Sequence, residues 1–67
     1  MSAHRQLRVR FYPAQGNWLC VVQQLGTDGM PAGADLVSAT GATKDEARDA
    51  AIQASTDPEV IKTLRQH

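Results

Sequence analysis

The sequence predicts an α+β fold, in which a three-stranded antiparallel meander carries one helix packed on a face and a short C-terminal helix (β-β-β-α-α). Three observations predict this fold. Two alternating or apolar segments separated by turn residues occupy the first 25 residues, which is the pattern of a β-hairpin. A Thr-x-x-Glu helix start follows at Thr43. An Asp-Pro helix start follows at Asp57.

Length and composition limit the chain to one small domain. A chain of 67 residues buries only about 60% of its unfolded surface, so the core is small. Hydrophobic residues make up 42% and charged residues 21%, which is ordinary for a folded domain. We expect a single domain over residues 1–67 with its core between residues 5 and 64. Residues 1–4 and 65–67 are expected to fray, as chain ends usually do.

Alternating side chains predict the first strand over residues 5–12. One face of this strand carries the apolar side chains Leu7, Val9 and Phe11. Arg8 and Arg10 share the other face. Pro13 is expected to end the strand because it has no N–H for the ladder. The glycine-containing segment 13–17 has the length of a hairpin connection.

The second strand is predicted over residues 18–25. Its first five residues are all apolar, which favours a central strand covered on both faces. Residues 26–33 contain three glycines and one proline and therefore indicate a loop. A weaker third strand is predicted over residues 34–40.

A capping box predicts the start of the first helix, which should run from about residue 44 to about residue 55. Thr43 is the expected N-cap, and Glu46 is expected to accept from the Thr43 N–H. One narrow face of this helix is built from Ala47, Ala50, Ala51 and Ala54. Ile52 points away from that face and needs another partner, which the C-terminal segment can supply.

The second helix is predicted after Asp57, which can cap it with Pro58 at the first position. Thr56 and Glu59 offer a competing capping box. The apolar side chains of this helix are Val60, Ile61 and Leu64. So short a helix is marginal in isolation, so it should dock on Ile52, on the sheet or on another chain.

No group of residues predicts catalysis, a cofactor or a metal site. His4 and His67 lie at the chain ends, and no Cys-x-x-Cys or His-x-x-x-His spacing occurs. Cys20 lies in the most apolar run and is expected to be a small buried hydrophobe. The acids at the start of the first helix are explained by the helix dipole. We therefore expect a non-enzyme without cofactor or metal.

The sequence favours a cytoplasmic location without a membrane partner. No apolar run approaches the roughly 18 residues that a membrane helix needs. No apolar segment of the kind found in secretory signals follows Met1. The single cysteine cannot form an internal disulfide.

The charges balance overall but not along the chain. Lys+Arg and Asp+Glu number 7 each, which argues against a strongly basic nucleic-acid binder. Residues 1–24 carry +3, residues 25–59 carry −5 and residues 60–67 carry +2. The basic first strand has two interpretations: charges that guard a sheet edge against aggregation, or a patch for an anion or an acidic partner.

Two functions are compatible with these features. The first is a non-catalytic module that binds a protein partner or itself, for example as a homodimer, through a face of the sheet. Its candidate interface residues are Trp18, Tyr12, Cys20 and Val22. The second is weak binding of duplex RNA or DNA. Its candidate contacts are Arg5, Arg8, Arg10, Lys44 and Arg48. Basic residues that share one surface would favour nucleic acid, whereas exposed apolar side chains on an open sheet face would favour protein association.

Strand parity does not decide which face of the sheet Trp18 occupies. If Leu19 and Val21 face the helix, Trp18 lies on the opposite face together with Cys20 and Val22. If Trp18 faces the helix, Leu19 and Val21 lie on the open face. Either arrangement leaves apolar side chains for the second helix or a partner to cover.

Two short motifs resemble known families. Residues 41–51 resemble the last-helix signature of double-stranded RNA-binding domains, with Lys44 and Arg48 at matching basic positions. Residues 16–22 followed by the Thr43–Ala47 helix start are similar to the N-terminal half of HicB-type antitoxins. Both resemblances imply the same β-β-β-α shape, and fold similarity by itself implies little about function.

Overall fold

The structure, a computed structural model, describes residues 5–67. It confirms the α+β prediction: three antiparallel strands precede two helices. The elements are β1 (Gln6–Ala14), β2 (Asn17–Leu25), β3 (Val37–Gly41), α1 (Lys44–Ala54) and α2 (Pro58–Arg65). The fraying expected for residues 1–4 lies outside the described residues. At the other end, the N–H groups of Gln66 and His67 donate to carbonyls of α2 and close its last turn.

β1 and β2 form a hairpin whose turn is shorter than the predicted five-residue connection. Ala14 pairs with Asn17, so only Gln15 and Gly16 lie between the strands. Both turn residues have positive φ, 51° and 82°, as a type I′ turn requires. Pro13 does not end β1 but stays in it, because an edge strand tolerates a missing N–H.

β2 is the central strand, as its apolar run predicts. β3 begins at Val37, three residues later than the predicted strand. The segment before it still follows β2, because the Ala32 N–H donates to Gln24 O and the Leu36 N–H to Val22 O, both at 2.8 Å. Gly33, with φ of 77°, turns this segment out of strand geometry.

Both helices pack on the same face of the sheet. The fully buried core consists of Cys20, Val22, Ala47, Ala51, Val60 and Leu64. The apolar face of β1 packs against it through Leu7, Val9 and Phe11. Ile52 also packs against this core, and it lines the groove between α1 and α2 together with Arg65. β2 is therefore covered by helices on one face only, and not on both as its apolar run suggests.

The start of α1 is held by a capping box that also reaches β3. Thr43 Oγ1 accepts from the Glu46 N–H at 3.1 Å, as predicted. The Glu46 carboxylate accepts from the Ala42 N–H at 3.1 Å, one residue earlier than the predicted Thr43 N–H. The box therefore joins the helix to the residue that directly follows β3.

Replacing Thr43 by alanine should lower the free energy of unfolding by roughly 0.5–2 kcal/mol, because the Glu46 N–H loses its acceptor. A urea titration measures the change, with Thr56→Ala as a control at an exposed threonine that is not an N-cap. Equal midpoints for Thr43→Ala and Thr56→Ala would mean that the hydroxyl does not stabilise the helix start.

The small residues of α1 let the helix approach the sheet. Ala47 and Ala51 are fully buried, whereas Ala54 at the end of the stripe is exposed. On the sheet side the facing position is Gly41, where an added Cβ would lie 2.8 Å from Glu46 Cβ. This distance leaves no room for a side chain at the end of β3.

α2 is attached to the start of β1 by one carboxylate with two functions. Asp57 Oδ1 accepts from the Glu59 N–H at 3.0 Å and so caps α2, with Pro58 in the first turn. Asp57 Oδ2 accepts from Arg5 Nη1 at 2.6 Å, across 52 positions of the chain. Asp57 and not Thr56 is therefore the cap, and it also anchors the beginning of the sheet.

This ion pair should make the free energy of unfolding depend on pH in the acid range. The hydrogen bond from Arg5, followed by that from the Glu59 N–H, lowers the pKa of Asp57 below its ordinary value of 3.8. A carboxyl group whose pKa is depressed in the folded state stabilises the fold at pH values above its pKa in the unfolded chain. This contribution is lost as the pH falls from 3.8 through the folded pKa. The advantage of the native chain over Asp57→Asn should therefore shrink in that acid range.

Urea titrations from about pH 5 to about pH 2 measure this difference. Arg5→Gln is the matched control, because it removes the largest cause of the shift and leaves the carboxyl in place. The native chain and Asp57→Asn should thus converge in acid, and Arg5→Gln should lose most of the pH-dependent advantage. A constant difference between the native chain and Asp57→Asn would contradict the prediction.

Candidate functional site

The candidate site is the sheet face opposite the two helices, called the open face below. Val9, Val22 and Val37 are register partners and face the helical core. Neighbouring residues along each strand therefore point the other way. The open face carries Arg8, Arg10, Tyr12, Leu19, Val21, Gln23, Ser38 and Thr40. Among residues 5–67, no helix packs on this face.

Two rows across the strands form the centre of the open face. Tyr12 pairs with Leu19, and Leu19 pairs with Thr40. In the next row Val21 stands between Arg10 and Ser38. The centre is therefore two aliphatic side chains flanked by polar groups on both neighbouring strands.

The side chains at this centre are only partly exposed. Val21 is only 5% exposed although no helix covers it. The Arg10 guanidinium lies 5.3 Å from the centroid of the Tyr12 ring, and Arg10 is the register partner of Val21. Leu19 stays half-buried and Tyr12 is 38% exposed. A partner that displaced the water around these side chains would contact apolar and cationic groups together.

The structure shows which face of the sheet Trp18 occupies. Its register places it with Cys20 and Val22, and its ring packs against the helical core. Lys44 Nζ lies 4.7 Å from the centroid of the ring, a cation–π contact that joins the start of α1 to the hairpin. Trp18 is therefore a half-buried residue of the helical face, and Leu19 and Val21 occupy the open face.

The four residues predicted for a partner interface do not form one surface. Cys20 and Val22 have no exposed area, because α1 and α2 cover them. Tyr12 lies on the open face and Trp18 on the helical face. An interface on the open face therefore keeps Tyr12 from the predicted set and gains Leu19.

The thiol of Cys20 is enclosed in the core. Burial raises the pKa of Cys20, which favours the protonated thiol over the thiolate. Within residues 5–67, no three His, Cys, Asp or Glu side chains are grouped so that they could hold a metal ion.

The five predicted nucleic-acid contacts are divided between the two sides of the sheet. Arg8 and Arg10 lie on the open face, whereas Lys44 lies over Trp18 on the helical side. Arg5 pairs with Asp57 at the start of α2. Arg48 belongs to α1. The structure therefore does not bring these cations together on one surface.

Two of these cations are already engaged by acids or carbonyls. Arg5 contacts Asp57 at 2.6 Å and Glu59 at 3.8 Å, and donates to the Gln24 side chain at 3.3 Å. Arg48 lies 3.4 Å from Asp49 and donates to the His67 carbonyl at 2.6 Å. In the described part of the chain, Arg8 and Arg10 have no such carboxylate partner.

No helix of the described residues is long and apolar enough to cross a membrane. Comparison of the chain with protein-family models, with curated proteins and with solved structures gives no match. The resemblances to HicB-type antitoxins and to double-stranded RNA-binding domains therefore stay predictions.

Proposed function

We propose that this protein is a non-catalytic protein-binding module whose docking surface is the open face. The observation that carries the proposal is the position of Leu19 and Val21, two aliphatic side chains of the central strand on the face that neither helix covers. Leu19 is half-buried and Tyr12 is 38% exposed on this face, and an apolar centre bounded by polar side chains is typical of association surfaces.

The alternative, binding of duplex RNA or DNA, has less support. Phosphate binding needs several cations on one surface, because affinity comes from neutralising consecutive phosphates. Only Arg8 and Arg10 lie on the open face, and the formal net charge of the chain is zero. Protein association requires a sufficient contact area and only a few anchoring side chains. A cytoplasmic location fits this proposal and stays an expectation.

Site-specific photo-crosslinking in the protein's native cells tests the proposal. A photoreactive amino acid is placed at Thr40, which is exposed on the open face beside Leu19, or at Gln53, an exposed control position on α1. We expect covalent adducts with a polypeptide from position 40 and few from position 53. An adduct of twice the chain's mass would identify a second copy as the partner.

Two results would overturn the proposal. The first is an equal yield of adducts from both positions, which would mean that contacts with other proteins are random. The second is recovery of nucleic acid and not protein from position 40, which would move the assignment to the alternative function. Thermal unfolding of both labelled proteins checks that the labels leave the fold intact.

A further inference from the structure

We propose that the open face binds an acidic protein segment that carries apolar side chains. This proposal about the chemistry of the partner rests on the proposed function. In this complex, carboxylates of the segment pair with Arg8 and Arg10. Its apolar side chains contact Leu19 and the ring of Tyr12.

The strands of the open face carry positive charge only. The three strands contain no aspartate or glutamate, so Arg8 and Arg10 are their only charged residues. Both project from the open face, on which the Gln23 side chain donates to Asp35 at 3.3 Å. The acids of the helices lie on the other side of the sheet. The open face is therefore a basic surface that complements an acidic partner.

The arginines of the open face differ from Arg5 and Arg48 in their partners. Arg5 and Arg48 are engaged by carboxylates of their own chain, at 2.6 Å and 3.4 Å. Arg8 and Arg10 have no carboxylate partner among the described residues, and Arg10 is held over Tyr12. A guanidinium carries five N–H donors, so one that lies over a ring can still donate to a carboxylate.

The open face is small. Three strands about 4.8 Å apart and at most nine residues long give a face of roughly 14 Å by 30 Å. That is roughly 400 Å², about half of the 800 Å² that each partner contributes to a standard stable interface. A helix is about 10–12 Å wide with its side chains, so one segment matches this face better than a second folded surface.

A second copy of the chain is a poorer occupant for the same reasons. Face-to-face contact would oppose two sheets that both carry arginines and no acids. Such a pair gains no charge complementarity and buries a small area. The acids that would complement the face belong to the helices and the loop, whose contact with another copy's sheet would be heterologous and would not close a dimer.

Selection from a displayed library of random 16-residue peptides tests the inference. The full chain is the bait, and the double variant Arg8→Gln/Arg10→Gln is used for counter-selection. We expect enriched peptides with a net negative charge and at least two apolar residues. Synthetic copies should bind the double variant roughly 2- to 30-fold more weakly, because two exposed ion pairs are lost. Added salt should weaken binding to the native chain.

The matched control is Lys62→Gln/Arg65→Gln, which removes two exposed cations from α2 and leaves the sheet unchanged. This variant should bind the peptides within about twofold of the native chain. Amide shift changes in NMR spectra should cluster on β1 and β2 and spare α2. Thermal unfolding of both variants confirms that they fold.

Each other outcome overturns the inference. No enrichment, enrichment of neutral or basic peptides, or equal losses in the two double variants would show that the arginines do not select an acidic partner. Tight binding of a 16-base-pair duplex that needs Arg8 and Arg10 would assign the face to nucleic acid. If adducts still form from position 40 in the cross-linking experiment, the proposed function stands and only the partner's chemistry fails.

Discussion

Leu64→Ala should lower the free energy of unfolding by roughly 2–5 kcal/mol, because it removes the largest fully buried side chain of the described chain. Leu64 is on α2 and closes the core against Cys20 and Val22. A domain of this length has only about 3–10 kcal/mol of stability in total. The variant should therefore lose a large fraction of its total stability.

A urea titration followed by the fluorescence of Trp18, the sole tryptophan, measures this loss. Ile61→Ala is the matched control, because Ile61 is the half-buried neighbour that lies on the outer side of α2. Ile61→Ala should lower the free energy of unfolding clearly less than Leu64→Ala, because less buried apolar area is lost. Equal losses below about 1 kcal/mol would mean that α2 is not docked on the sheet in solution.

Gly41→Ala should cost roughly 1–3 kcal/mol through overpacking, although it adds only one methyl group. The added Cβ would lie 2.7 Å from the backbone carbon of Glu46 and 2.8 Å from its Cβ. Contacts this short require the helix or the strand to move, and the capping box at Thr43 resists that movement. The backbone of Gly41 is not in the left-handed region, so the cost is steric.

Ser38→Ala is the control for this prediction, because Ser38 is exposed on the same strand. Chemical denaturation of the two variants should give a clear loss for Gly41→Ala and a change within about 0.5 kcal/mol for Ser38→Ala. If Gly41→Ala instead raised stability, α1 would be farther from β3 than the structure has it.

Local signals in the sequence determine most of the secondary structure. Alternation predicts β1 because side chains of a strand point to opposite faces, and the same rule places Arg8 and Arg10 together on one face. Thr43 and Asp57 predict both helix starts because a cap acts on N–H groups only two or three residues away. These interactions are short-range, so the sequence alone reveals them.

The candidate site was predictable only in part. Tyr12 and the two arginines follow from the parity of β1. The central strand is apolar on both of its faces, so parity alone cannot decide whether Trp18 or Leu19 meets the helices. The alanine face of α1 and the docking of α2 enclose Cys20 and Val22, and this packing assigns Leu19 to the open face.

Contacts between distant segments were decided by the tertiary structure alone. Arg5 and Asp57 pair across 52 positions, and no local pattern indicates which acid an arginine at the start of a strand will meet. The close approach of α1 at Gly41 depends likewise on how two elements pack. The elements and the polarity of their faces therefore follow from local sequence signals. Packing decided which sheet face is covered, because burying one apolar face under both helices leaves the other one open.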